Sequence, residues 1–178
     1  MKVSIIRHGR VLHTWKKWCT SAEFDEQCKL YDKSPIDEES IKTTSEPVHT
    51  IWISTLDRTL QTARKLFGDA NYNKTNLLNE VPLCSGFDTK SKMPLWFWNV
   101  LGRIQWMLSI KRQQETRTQT KSRADRFVEK IIENNVDCAV VTHGFFMHTL
   151  IKCFKEKGFS ADKIALKYDN GEIITLRN

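Results

Sequence analysis

Two histidines share one local setting. Each closes a β-branched apolar run and stands directly before a glycine, in Ile5-Ile6-Arg7-His8-Gly9 and in Val140-Val141-Thr142-His143-Gly144. A neutral imidazole is a nucleophile or a proton carrier, and a cationic one donates to anions. The glycine that follows permits close backbone approach to a ligand. A third apolar run, Val48 to Ile53, ends at Ser54, with Arg58 four residues further on. Singly, each residue has a plain structural reading: a hydrogen-bonded histidine, a helix-capping serine, a solvated arginine. Jointly, His8, His143, Arg7 and Arg58 suit a tetrahedral oxyanion, because guanidinium forks match phosphate geometry. Backbone N–H groups at helix N-termini would favour the same anion.

These side chains meet only if the apolar runs are strands of one sheet. Lys2–Ile6 reads as a buried strand, Thr20–Tyr31 as a short helix and Ser34–Pro47 as a polar surface loop. Val48–Ile53 is strand-like. Ser54 is a plausible N-cap for a helix running to about Phe67, with Gly68 just past its end. Asn76–Val81 reads as a further short strand stopped by Pro82. Met93–Gln105 reads as a bulky apolar helix. Thr118–Asn134 carries Ala124, Phe127, Val128, Ile131 and Ile132 on one helical face. Asp137–Thr142 is the next buried strand, followed by a helix to about Lys157 that Gly158 stops. Ile173–Leu176, after the turn Asp169-Asn170-Gly171, reads as an edge or hairpin strand. Strands alternating with helices predict a layered α/β domain with a largely parallel sheet, whose ligands bind at the carboxyl ends of the strands.

Composition narrows the classes. The chain has 178 residues and a net charge of +7, the size of one domain spanning 1–178. Forty per cent hydrophobic residues with seven glycines and four prolines exclude a collagenous or wholly disordered chain. Five cysteines without a CxxC spacing fit neither a zinc knuckle nor a secreted disulfide framework. The N-terminal apolar run is too short for a signal-peptide core. Leu95–Ile110, interrupted by Asn99, Arg103 and Gln105, falls short of the roughly 20 residues that a membrane span needs. The expectation is a cytoplasmic protein with reduced thiols and no membrane partner. Lys90, Lys92, Lys111, Lys121, Arg103, Arg112, Arg117, Arg123 and Arg126 make the middle third basic. No nucleic-acid motif accompanies them, so a solvated helix face is expected and no nucleic-acid partner.

Arg7-His8-Gly9, the block Ser54-Thr-Leu-Asp-Arg58-Thr-Leu-Gln-Thr-Ala63, and Val-Thr-His143-Gly144 together resemble the histidine phosphatase superfamily, which includes the cofactor-dependent phosphoglycerate mutases. The triplet alone is a weak signal. The second block is close to the family pattern Ser-Pro-x-x-Arg-Ala-x-Gln-Thr-Ala and is far more specific. The resemblance implies a three-layer sandwich with helices on both faces of a mostly parallel sheet. It implies that His8 attacks phosphorus and carries a phosphohistidine that water hydrolyses. A hydrogen bond from the other ring nitrogen would fix its tautomer. Arg7 and Arg58 would grip the phosphoryl oxygens, and a cationic His143 would add a donor. Glu80, in Leu78-Asn79-Glu80, matches the segment that bears the general acid, with Asp88 and Glu23 as weaker substitutes. Neither metal nor cofactor is implied.

The chain also departs from the pattern. Gly9 is followed by Arg10-Val11 instead of an acidic residue and a Thr or Ser. Arg10 either contacts a second anionic group or points to solvent. The family's Trp-Glu-Gly segment is replaced by Gly86-Phe87-Asp88 and a Trp-rich stretch, so residues 82–117 read as an insertion or lid. Trp96, Trp98 and Arg103 are candidates to cap the pocket, with core packing the simpler reading of either tryptophan. Trp15 and Trp18 are rim candidates. The implied activity is hydrolysis of small phosphomonoesters. The rivals are a phosphohistidine or phosphoprotein phosphatase, a phosphoglycerate-type mutase and a non-catalytic phospho-ligand binder.

Overall fold

A period of two along the first strand decides which residues face which layer. In β1 (Lys2–Arg7), Val3 and Ile5 enter one apolar cluster and Ile6 enters another on the opposite side. The structure, a computed structural model, describes residues 1–41, 48 and 50–178. In chain order, β1 is followed by β2 (Arg10–Val11), β3 (Trp18–Cys19), α1 (Ser21–Lys33), β4 (Ile36–Asp37), β5 (Thr50–Ile53) and α2 (Asp57–Phe67). Then come β6 (Tyr72–Lys74), β7 (Met93–Pro94), α3 (Leu95–Met107), α4 (Arg117–Asn134) and β8 (Cys138–Thr142). The chain closes with α5 (Gly144–Glu156), β9 (Ser160–Ala161) and β10 (Ile173–Arg177).

The main sheet has six strands in the order β6-β5-β8-β1-β10-β9. The first four are parallel, and β10 and β9 add antiparallel pairs. Because β8 enters between β5 and β1, the carboxyl ends of these three strands lie side by side. Val140, Val3 and Ile5 face α4 and α5 through Phe127, Phe146 and Leu150. Ile51, Ile53 and Val141 face α2 through Ala63 and Leu66. Helices therefore cover both faces, giving the expected three layers.

Several local expectations are corrected. Ser54 does not cap α2; the helix begins at Asp57 after Leu56, and the Ser54 hydroxyl accepts instead from the Leu56 N–H at 3.1 Å. That turn holds the serine in the layer of the strand ends. Asn76–Val81 is not a strand: Tyr72–Lys74 pairs with β5, and Asn76–Leu78 is a 3-10 turn capped by Thr75. The Thr75 side chain offers that backbone a local partner, which competes with a ladder. Ile173–Leu176 is not an edge, since β9 pairs with β10 outside it. Within Ser34–Pro47, only the part to Ile41 is described. It carries β4, paired with β2, and a 3-10 turn over Glu38–Ser40. Arg123 is no solvated charge: it pairs with Glu115 at 2.7 Å, donates to the Leu77 carbonyl and lies over the Phe146 ring.

The Trp-rich segment is anchored. Trp98 is fully buried, stacks on Phe24 and donates its indole N–H to the Cys19 carbonyl at 3.0 Å. This makes it core, as the simpler reading held. Replacing Trp98 by Ala removes both the packing and the partner of a buried carbonyl, so denaturant unfolding should show a loss of about 3–5 kcal/mol. A loss under about 1 kcal/mol would mean that the segment is not held by this residue.

Candidate active site

Parallel pairing sets Arg7 opposite Thr142, so the residues after them, His8 and His143, emerge side by side. The His8 N–H bonds the Thr142 carbonyl at 2.9 Å, and the two ring centroids are 5.1 Å apart. The His8 loop is pinned on two further sides. Gly9 N–H donates to Thr62 Oγ1 at 2.9 Å, and the Asn170 amide donates to the His8 carbonyl at 2.9 Å. His8 Nδ1 lies 2.7 Å from the Gly9 carbonyl oxygen. A carbonyl only accepts, so Nδ1 carries the proton and Nε2 keeps the lone pair. Burial, then the charge of Arg58 and to a lesser extent Arg7, lower the His8 pKa to about 3, against a partial opposing effect of the Gly9 bond. His8 is a neutral imidazole with a fixed tautomer.

His143 is fully buried and has both ring nitrogens engaged. Arg58 Nε lies 3.1 Å from Nδ1, and the Ser54 hydroxyl lies 2.8 Å from Nε2. Arginine cannot accept, so Nδ1 is the acceptor and the proton sits on Nε2, directed at Ser54. Burial first, then Arg58 and His8, push its pKa well below the ordinary histidine value. The expected cation is thus a neutral ring here; desolvation among like charges outweighs any gain from protonation.

Arg58 is almost wholly buried, and its Nη1 donates to Asp32 at 2.8 Å. Its guanidinium carbon lies 5.2 Å from the Tyr31 ring centre. Arg7 is held by Nη1 on the Tyr168 carbonyl, and its buried Nε has no partner. Gly144 makes room for it: a Cβ there would come within 2.7 Å of that Nε. An anion could satisfy the orphaned donor. Glu80 sits at the N-terminus of α5, where Oε1 accepts from Val81 at 2.9 Å and from Phe146 at 3.0 Å, and Oε2 from Phe145 at 3.3 Å. A carboxylate is favoured at that end of a helix dipole.

The rim candidates fare unequally. Trp15 stands 5.4 Å from Tyr31, the ring beside Arg58. Arg10 is exposed and paired with Asp37, which pulls it onto the β2–β4 ribbon. Trp96 is 66% exposed and its ring contact is Phe97, so nothing brings it to the strand ends. Arg103 turns inward, to the Val81 carbonyl and over the Phe145 ring. Asp88 is bound by Arg112 and Glu23 caps α1, both away from the imidazoles. Sequence reasoning missed Asp32, Tyr31, Asn170 and the pinning role of Thr62. Thr62 alone had a signal, four residues after Arg58 in the matched block. Asp125, Cys153 and Glu156 could form a metal trio, but the Lys121 ammonium bridges both carboxylates at 2.9 and 3.0 Å.

The parallel-strand ends bring two imidazoles and two guanidiniums into one cluster on an α/β sandwich. The chain belongs to the histidine phosphatase superfamily, branch 1, whose family model matches residues 38–177. That span contains Arg58, Glu80 and His143 and begins after His8. Solved structures with the same fold include a candidate alpha-ribazole-5'-P phosphatase from Escherichia coli, with TM-score 0.62 and 16% identity over 98% of this chain and 89% of that one. A phosphoglycerate mutase from Bacillus anthracis gives 0.61 and 16%, covering 98% and 86%. A mycobacterial glucosyl-3-phosphoglycerate phosphatase gives 0.58 and 13%, covering 98% and 88%. Comparison with curated proteins gives no match. Membership supports a phosphatase or mutase activity and leaves the substrate open.

The depressed histidines make stability pH-dependent. The unfolded chain takes up a proton on His8 near pH 6.5, whereas the folded chain does so near 3. Stability from this group is therefore complete above about pH 6.5 and declines as pH falls toward 3, by roughly 1 kcal/mol per pH unit. His143 acts in the same direction. Unfolding measured from pH 7 to pH 4 should show a shallower acid decline in His8→Ala than in the wild type. Parallel curves would contradict the neutral buried imidazole.

Proposed function

We propose that the chain is a metal-independent phosphomonoester hydrolase acting on small phosphorylated metabolites through a phosphohistidine on His8. The observation that carries this reading is the His8 tautomer, with Nδ1–H fixed on the Gly9 carbonyl and the Nε2 lone pair kept neutral among arginines. Arg7, through its unpartnered Nε, and Arg58 bind the phosphoryl oxygens, with Asp32 holding Arg58 in orientation. His143 donates from Nε2 when a phosphoryl oxygen displaces the Ser54 hydroxyl, and this needs no added charge. Fixed donors of this kind stabilise the charge spread over the equatorial oxygens.

In the first step the Nε2–P bond forms as the P–O bond to the alcohol breaks, and the departing oxygen takes a proton that Glu80 has first picked up from solvent. In the second, water attacks phosphorus, its proton returns to Glu80, and the electron pair of the P–N bond returns to Nε2. Trp15 and Tyr31 contribute to the wall beside Arg58, and residues 82–117 serve as a fixed flank instead of a moving lid. Reduced thiols at all five cysteines fit a cytoplasmic setting.

One observation favours a second reading. Three backbone N–H groups occupy the Glu80 oxygens, so its first duty is to anchor α5. A phosphoramidate leaving group needs less protonation, which suits a phosphohistidine or phosphoprotein phosphatase.

Hydrolysis of a panel of phosphorylated metabolites in EDTA should be lost in His8→Ala, and acid-free quenching should trap phosphate on the wild type alone. Activity surviving in that variant would overturn the assignment. Glu80→Gln should lower phosphomonoester turnover by about 10²–10⁴-fold. If it spares phosphohistidine peptides while abolishing phosphomonoester hydrolysis, the second reading is the better one.

A further inference from the structure

A helix that is apolar all round is normally covered all round. α3 is covered on one side only. Its inner side is accounted for by Trp98 in the core, Gly102 against Leu83, Arg103 on the Val81 carbonyl and Trp106 on the Thr120 hydroxyl. Its outer side presents Trp96, Val100, Ile104 and Met107, spaced by four, four and three residues and each at least 43% exposed. Leu108, 64% exposed, continues the stripe past the helix end. Trp18 adds to it at the other end, since β3 places it opposite Pro94, the residue before α3, and it too is largely exposed. Single exposed apolar residues are ordinary, whereas a continuous stripe marks a contact surface.

The charges that flank this stripe in sequence are mostly basic, with Glu23 of α1 the acidic group near Lys92. α3 has no acidic residue, and across 82–112 five basic residues face only Asp88. Arg112 is spent on Asp88 and Arg103 is turned inward. Lys90, Lys92 and Lys111 are exposed, and so is Lys17 beside Trp18. None of these four lysines forms an ion pair among the described residues. A second copy of the chain would bring lysines against lysines. An anionic surface would neutralise them.

We propose that the outer face of α3 docks on an anionic lipid bilayer surface. The helix lies in the interfacial plane with Val100, Ile104 and Met107 at the acyl boundary. Trp18 and Trp96 sit at headgroup level, and the lysines rest on lipid phosphates. Thirteen residues are too few to span, and no helix among the described residues is long and apolar enough to cross a membrane. The docking face centres on Val100 and Ile104, across the helix from the buried Trp98 and Gly102, and does not depend on the proposed chemistry at His8.

Co-sedimentation with vesicles of phosphatidylcholine, with and without about a third phosphatidylserine, tests this. The wild type and His8→Ala should both sediment with the anionic vesicles, far less with the neutral ones, and less as salt is raised. Val100→Asp combined with Ile104→Asp should weaken binding at least about tenfold. Both sites are exposed, so circular dichroism and thermal unfolding should stay unchanged. The proposal is overturned by absence of binding to anionic vesicles, or by binding that the double variant does not weaken. It is equally overturned by a dimer in vesicle-free ultracentrifugation that the double variant splits into monomers.

Discussion

Parallel pairing between β1 and β8 in a single register is the constraint on which the site rests. With Arg7 level with Thr142, the next residue of each strand is a histidine, and the rings stand 5.1 Å apart. A slip by one residue would turn Ile6 and Val141 into the opposite layer and separate the imidazoles. The register is held by burial on both faces, since Val3, Ile5 and Ile6 are all sequestered. Packing far from the chemistry therefore fixes the distance on which the chemistry depends.

The second organising force is electrostatic. Two arginines and two histidines share this space, and the carboxylate that pairs with Arg58, Asp32, is itself half exposed. The chain relieves this crowding by keeping both histidines neutral, and the same crowding makes an arriving anion favourable. Neutral histidines suit the site in different ways. His8 gains a free lone pair, while His143 spends its own lone pair on Arg58 and keeps one proton to donate. Glu80 links these elements to the third layer by closing the N-terminus of α5 immediately after His143.

The segment from Pro82 to Arg117 shows how one stretch can be both core and surface. Trp98 and Trp96 are two residues apart, yet one is fully buried against Phe24 and the other lies open to solvent. Helical spacing puts them on different sides of α3. Composition alone makes them equivalent.

The sequence by itself determined the strands that end in His8 and His143, the alternation that yields an α/β sandwich, and the family through Arg58-Thr-Leu-Gln-Thr-Ala63. Those features are local or carried by a short ordered pattern, so periodicity and motif suffice. It did not determine that Ser54 faces His143 instead of capping α2, that His143 is neutral, or that Asp32 and Tyr31 flank Arg58. Nor did it separate Arg123, an internal strut, from the solvated arginines around it. Each of these depends on which groups are brought together and how much water is removed. Burial and charge proximity are properties of the packed layers, and only the tertiary structure decides them.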